Sequence, residues 1–182
     1  IGYENNGLCD DAIGPIGIEE KQAGSMRGAG NLDYFTCNLQ YARAGQVWYY
    51  VMGTGSLMVA STCLETTDFG AHLDVLEIGN CSQIETYTCQ SPGDSDCGNG
   101  YQNVWKSELG VEYKILIYKT SFVAGINFDL IVSDIEPVEN DECNNSIALT
   151  LGETVTGSTA LATFDFVPDC GNLLQPGVWH TV

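Results

Sequence analysis

Eight cysteines are the side chains in this 182-residue chain with the plainest chemistry. Zinc asks for CxxC spacing or nearby histidines, and neither is present, so the thiols are expected to form disulfides, as they do in oxidising compartments. Two of them occur twice: Cys9 and Cys37 recur as Cys143 and Cys170. A duplicated segment that carries its own pair selects Cys9–Cys37 and Cys143–Cys170 from the many connectivities that eight cysteines allow. Cys89–Cys97 then closes a short acidic loop, which leaves Cys63–Cys81.

Oxygen ligands come next. Asp94-Ser95-Asp96 with Asn99 gathers hard donors in that same loop, and Asp94 and Asp96 are the candidate ligands for Ca²⁺; Asp68 and Asp74 are lesser alternatives. Gly98 stands where a third ligand would fall and no Glu closes the loop, so a solvated acidic turn is the competing reading and no cofactor is required. Two triplets, Asn80-Cys81-Ser82 and Asn144-Asn145-Ser146, make Asn80 and Asn144 candidate acceptors of covalent glycans. Gly93-Asp94-Ser95 has the look of a hydrolase serine motif, but it lies in the cysteine-bounded loop rather than on a strand-to-helix elbow. Only His72 and His180 could serve as its base, so no enzyme activity is expected. Trp48, Tyr49, Tyr50, Trp105, Tyr113 and Tyr118 could present a sugar-binding platform if exposed, although strand aromatics more often pack in a core.

These residues need strands to position them. Runs rich in Val, Ile, Tyr and Thr lie between Gly, Asn, Asp and Ser clusters, and predict strands at Ile16–Ala23, Ser25–Gly28, Gln46–Met52, Ser56–Ser61, His72–Ile78, Ile84–Cys89, Gln102–Ser107, Glu112–Lys119 and Ile126–Ser133. Gly53-Thr54-Gly55 between two of them reads as a hairpin turn. Phe128, Leu130 and Val132 alternate with Asn127, Asp129 and Ile131, so one face of that strand is buried. The pattern predicts an all-β, jelly-roll-like, two-sheet sandwich.

The same segment then starts again. Asn6-Gly7-Leu8-Cys9-Asp10-Asp11-Ala12-Ile13 aligns with Asn140-Asp141-Glu142-Cys143-Asn144-Asn145-Ser146-Ile147, and Ala44-Gly45-Gln46-Val47-Trp48-Tyr49-Tyr50-Val51 aligns, after a small gap, with Pro176-Gly177-Val178-Trp179-His180-Thr181-Val182. The offset is 134 residues at Asn6 and 131 at Trp48, the length of a whole domain rather than of a solenoid unit. The chain therefore reads as one complete repeat over 1–136, followed by a linker at Ile135–Asn140 and, within 137–182, the opening third of a second repeat. Strands are expected there at Ile147–Leu151, Glu153–Thr159 and Val178–Val182. Val178, Trp179 and Val182 are the expected assembly residues, because a Trp in an uncompleted strand is costly to leave wet.

Several motifs group into one module: Asn140-Asp141-x-Cys143, Gly157-Ser158-Thr159, Asp165-x-x-Pro168-x-Cys170-Gly171 and Pro176-Gly177-Val178-Trp179 in the second copy, with Gly53-Thr54-Gly55, Ser61-Thr62-Cys63, Asp94-x-Asp96-Cys97-Gly98 and Gly110-x-x-Tyr113-x-Ile115-Leu116-Ile117 in the first. The module resembles disulfide-bonded β-sandwich repeats similar to bacterial pre-peptidase C-terminal domains, and more loosely to CUB domains, found in tandem in secreted proteins. The resemblance implies an extracellular module with structural or adhesive work, sometimes in glycosylated fibrils, and no catalysis. Related sequences often carry Phe-Asp-Thr where this chain has Phe69-Gly70-Ala71.

Charge narrows the partners. Lys and Arg total 6 against 24 Asp and Glu, a formal charge of −18, which excludes a phosphate-backbone ligand and hence nucleic acid. No apolar run has the length needed to span a bilayer, and the chain starts at Ile1 with a signal segment expected to have been removed. The expectation is a secreted or surface-attached structural protein that assembles with itself, head to tail or as tandem repeats, by β-strand complementation. The alternative is a carbohydrate-binding or adhesive accessory module of a larger secreted protein.

Overall fold

A computed structural model describes residues 6–27, 29, 45–78, 81, 88–89, 95–119, 125–136, 138–159, 162 and 177–182. The chain divides into two compact units, Ile1–Asp134 and Ile135–Val182. The strands of unit 1 are β1 (Gln22–Ser25), β2 (Gln46–Met52), β3 (Leu57–Ser61), β4 (His72–Glu77), β5 (Thr88–Cys89), β6 (Ser95–Asp96), β7 (Tyr101–Lys106), β8 (Glu112–Tyr118) and β9 (Asn127–Ile135, whose last residue falls in unit 2). They form two sheets, one ordered β2-β8-β4-β5 and the other β1-β9-β3-β7-β6, with antiparallel pairing in each. The result is the two-sheet β-sandwich that the strand spacing predicts.

The first sheet is buried on both faces. Its inner face gives Val47, Tyr49, Val51, Leu73, Val75, Tyr113, Ile115 and Ile117 to the main core, opposite Met58, Ala60, Trp105, Phe128, Leu130 and Val132 of the second sheet. Its outer face gives Trp48, Leu76, Leu116 and Tyr118 to a second cluster, capped by Cys9 from the N-terminal segment and by Ile78. Two buried faces explain why β2 (QVWYYVM) and β8 (EYKILIY) read as nearly unbroken apolar runs, whereas β9 alternates.

Three expectations need correction. Gly53-Thr54-Gly55 is not a hairpin turn, because β2 and β3 lie in different sheets. Both edges of β2 are already taken, one by β8 and the other by the segment at Ile13, so the chain must turn a corner into the opposite sheet. Gly53 presses against the Glu108 carbonyl where no Cβ fits, Gly55 has a φ of +85°, and the Ser107 hydroxyl accepts from the Thr54 and Gly55 amides at 3.2 and 3.1 Å. Gly24 does not separate two strands: it sits within β1 opposite Phe128, whose ring and the Tyr49 hydroxyl occupy the space a side chain would need. Residues 153–159 form no strand and are exposed. Much of the expected Ile84–Cys89 strand lies outside the described residues.

The disulfides differ most. Cys9 pairs with Cys81 and Cys63 with Cys97, at Cα separations of 5.6 and 5.7 Å, so Cys9–Cys37, Cys63–Cys81 and Cys89–Cys97 do not form. The topology supplies the reason. The N-terminal turn lies over the outer face of the first sheet beside the end of β4, which brings it to Cys81. Ser61 of β3 and Ser95 of β6 both face Gln102 from opposite sides of β7, and two residues further on Cys63 and Cys97 meet across the end of that strand. Cys89 is also in a disulfide, with a partner outside the described residues. Cys143 is an exposed free thiol, and its expected partner Cys170 lies outside the described residues.

One buried charge ties β9 to the N-terminal segment. Asp129 receives the Lys21 ammonium at 3.0 Å and a short hydrogen bond from the Thr66 hydroxyl. Burial raises its pKa, but the hydroxyl and the ammonium outweigh burial and hold the carboxyl below the usual aspartate range. This stabilisation is present above the unfolded aspartate pKa and is lost as pH falls through the lower folded value. Asp129→Asn should lose about 1 to 3 kcal/mol at pH 7 by urea denaturation, and the difference from the wild type should shrink below about pH 4. Non-reducing peptide mapping should recover Cys9–Cys81 and Cys63–Cys97. Each closes a long loop, so removing either by a double Ala substitution should cost about 4 kcal/mol.

Candidate assembly interface

In unit 1 the backbone of Trp48 is held by the N-terminal segment. Asn6 closes a two-bond ring with it: the Asn6 carbonyl accepts from the Trp48 amide at 2.8 Å, and the Asn6 side-chain amide donates to the Trp48 carbonyl at 2.9 Å. The chain then makes a 3₁₀ turn at Cys9–Asp11, in which the Asp11 amide donates to Leu8 and the Ala12 amide to Cys9. It returns along β2 in parallel: the Ile13 amide donates to the Trp48 carbonyl at 3.1 Å, and the Ile16 amide to the Tyr50 carbonyl at 2.9 Å. Pro15 has no N–H, which is why Ile16 makes this last bond.

Unit 2 builds the same lock from the aligned residues. The Asn140 carbonyl accepts from the Trp179 amide at 2.8 Å, and its side-chain amide donates to the Trp179 carbonyl at 2.9 Å. A 3₁₀ turn follows at Cys143–Asn145, with the Asn145 amide bonded to Glu142 and the Ser146 amide to Cys143. The residues flanking the two turns also match: Leu8 and Glu142 are at φ, ψ of −113°, 147° and −104°, 146°, and Ala12 and Ser146 at −55°, 132° and −57°, 135°. Ile147 then donates to the Trp179 carbonyl at 3.1 Å, and Leu149 to the Thr181 carbonyl at 2.7 Å. This segment contains β10 (Ile147–Ala148) and β11 (His180–Thr181), paired in parallel as Ile13 is with Tyr49.

The two locks differ in what covers them. In unit 1, β8 pairs along β2 from Gln46 to Met52, and Trp48 and Val51 are each 1% exposed. In unit 2, β10 and β11 form a two-stranded sheet with no third strand among the described residues. Trp179 and Val178 are half-buried and Val182 is fully exposed, while Leu151 is 93% exposed. Cys143 is exposed where its counterpart Cys9 is buried in a disulfide. Among the described residues no strand lies on the edge of β11 opposite β10, the edge that in β2 is paired with β8. Unit 2 has no Lys or Arg.

Of the other candidates, Asn144 is exposed on the second 3₁₀ turn, and so is its counterpart Asp10 in the fully covered unit 1. A glycan there would point to solvent even after the neighbouring apolar face is covered. Asn80 and Asp94 lie outside the described residues, as does the side chain of Asp96, whose backbone pairs with Tyr101 in β6. No cluster of three metal-ligating side chains occurs among the described residues. The Asp68 carboxylate accepts from the Asn127 amide and side chain at 2.9 and 3.0 Å, a turn-closing role. His72 is stacked on Tyr101 and Tyr118 at 4.2 and 5.3 Å between ring centres, and His180 lies in unit 2 with its ring 3.3 Å from the Asn140 amide. Trp48, Tyr49, Trp105, Tyr113 and Tyr118 are buried and Tyr50 is half-buried, so these six present no exposed aromatic platform. No helix among the described residues is long and apolar enough to cross a membrane.

The sequence alignment contains Asn6 and Asn140 but gives them no role; their shared position three residues before a 3₁₀ turn, far from the Trp they bind, hides it. Comparison with known proteins finds no matching family model and no matching curated protein. The lock makes a paired prediction. Asn6→Ala should destabilise the main unfolding transition by about 1 to 3 kcal/mol, because a buried carbonyl loses a donor. Asn140→Ala should leave that transition in place and instead speed hydrogen exchange at the Ile147, Leu149 and Trp179 amides.

Proposed function

We propose that the protein is a non-catalytic, extracellular structural protein that forms a linear array, in which unit 2 is the opening of a second repeat and is completed by the strands of a further module. The completing strand is the counterpart of β8, set antiparallel on the open edge of β11, with Trp179 and Val182 covered as Trp48 and Val51 are in unit 1. The observation that carries this proposal is the match between the two locks at the asparagine ring and the 3₁₀ turn, set against the difference in their cover: Trp48 is 1% exposed while Trp179 is half-buried and Val182 bare. A module that takes its opening segment from the one before it and offers a further opening segment of its own does not close on itself, so association continues into a line. The two described disulfides suit an oxidising compartment, and a glycan on Asn144 would shield the exposed side of the turn.

Electron microscopy of native material should show linear arrays. Trp179→Asp should abolish them while leaving the unfolding transition of unit 1 unchanged, because Trp179 lies outside that unit. Discrete particles from the wild type, or undiminished arrays from the variant, would overturn the proposal.

A further inference from the structure

We infer that Cys143 is a cross-linking residue, whose partner is a cysteine on the completing module placed as Cys81 is in unit 1. The inference rests on the assembly reading above and names the chemistry of its junction. Cys143 occupies the first position of a 3₁₀ turn whose flanking dihedrals and hydrogen bonds repeat those around Cys9. In that turn Cys9 reaches a cysteine just past β4, across the outer face of a sheet that contains β2, β8 and β4. Unit 2 has the counterpart of β2 and of its edge lock, and its Cys143 is an exposed free thiol. A module that lays β8-like and β4-like strands beside β11 brings the residue after its β4-like strand to Cys143, by the same geometry that brings Cys81 to Cys9.

The occupant is therefore a second module with counterparts of residues 53–134, whose own Cys9 position is filled by Cys143. A module that already holds a Cys9–Cys81 bond is excluded, since its cysteine is spent and its outer face covered. The chemistry is thiol–disulfide exchange. One thiolate attacks a protein or small-molecule disulfide and forms a mixed disulfide; the second thiolate then displaces that carrier, so two thiols lose two protons and two electrons and the carrier leaves as a pair of thiols. The same oxidant class would form Cys9–Cys81. Asn144, next to the reacting residue, stays outside the junction, as exposed Asp10 does beside buried Cys9.

The test is mass spectrometry of native arrays, alkylated before any reduction and then digested without reductant. The expected result is a Cys143 peptide linked to a cysteine that directly follows a β4-like sequence, with no alkylated Cys143. A Cys143–Cys170 peptide, or Cys143 recovered alkylated, would overturn the inference. Cys143→Ser provides a second measure: arrays should still form, and the cysteine after the β4-like strand should then be recovered alkylated. Arrays with an unlinked Cys143 would reject the cross-link and keep the assembly reading, whereas loss of both would reject the two together.

Discussion

The carbonyl of Trp48 accepts two donors, the side chain of Asn6 and the backbone of Ile13, and the first sheet depends on that arrangement. It closes the outer edge of β2 with a short parallel segment, leaving one edge for β8 and none for another strand. The chain leaving β2 is then forced around the Gly53–Gly55 corner into the opposite sheet. The same segment carries Cys9 over the outer face, where its bond to Cys81 seals Trp48 beneath it. Edge closure, sheet crossing and outer-face burial follow from one local motif.

In unit 2 the same motif has no third strand beside it among the described residues. On the proposed reading a strand adds to β11 on the side away from β10 only, and in one direction if it follows β8. Burying the rest of a half-covered Trp and a bare Val contributes roughly 3 to 4 kcal/mol of apolar transfer. Association of two proteins costs at least that much in lost freedom, so these two side chains alone do not hold a junction. The added strand must also bring its ladder of hydrogen bonds and the wider apolar face, which in unit 1 includes Leu76, Ile78, Leu116 and Tyr118.

Much of the sandwich was legible because β2, β4, β8 and β9 are bounded by turn residues and rich in β-branched and aromatic side chains. Sheet membership was not, since a Gly-Thr-Gly step looks the same whether it reverses a strand within one sheet or carries it to the next. The cysteines misled for a related reason. Recurrence of Cys9 with Cys37 and Cys143 with Cys170 marks a match in sequence but not a bond, and Cys9 in fact bonds to Cys81, outside the matched segment. The match of Trp179 to Trp48 was legible from position alone. The role of Asn140 was not, because its contact with Trp179 spans 39 residues.

The central claim is that β11 takes an antiparallel strand on its open edge. Cryo-electron microscopy of native material, at a resolution that traces the backbone at residues 177–182, tests it directly. The account predicts a strand hydrogen-bonded along His180–Thr181 on the side away from β10, with the Trp179 indole enclosed beneath a module of the same fold. A Trp179 that remains open to solvent, with no strand beside β11, would contradict it.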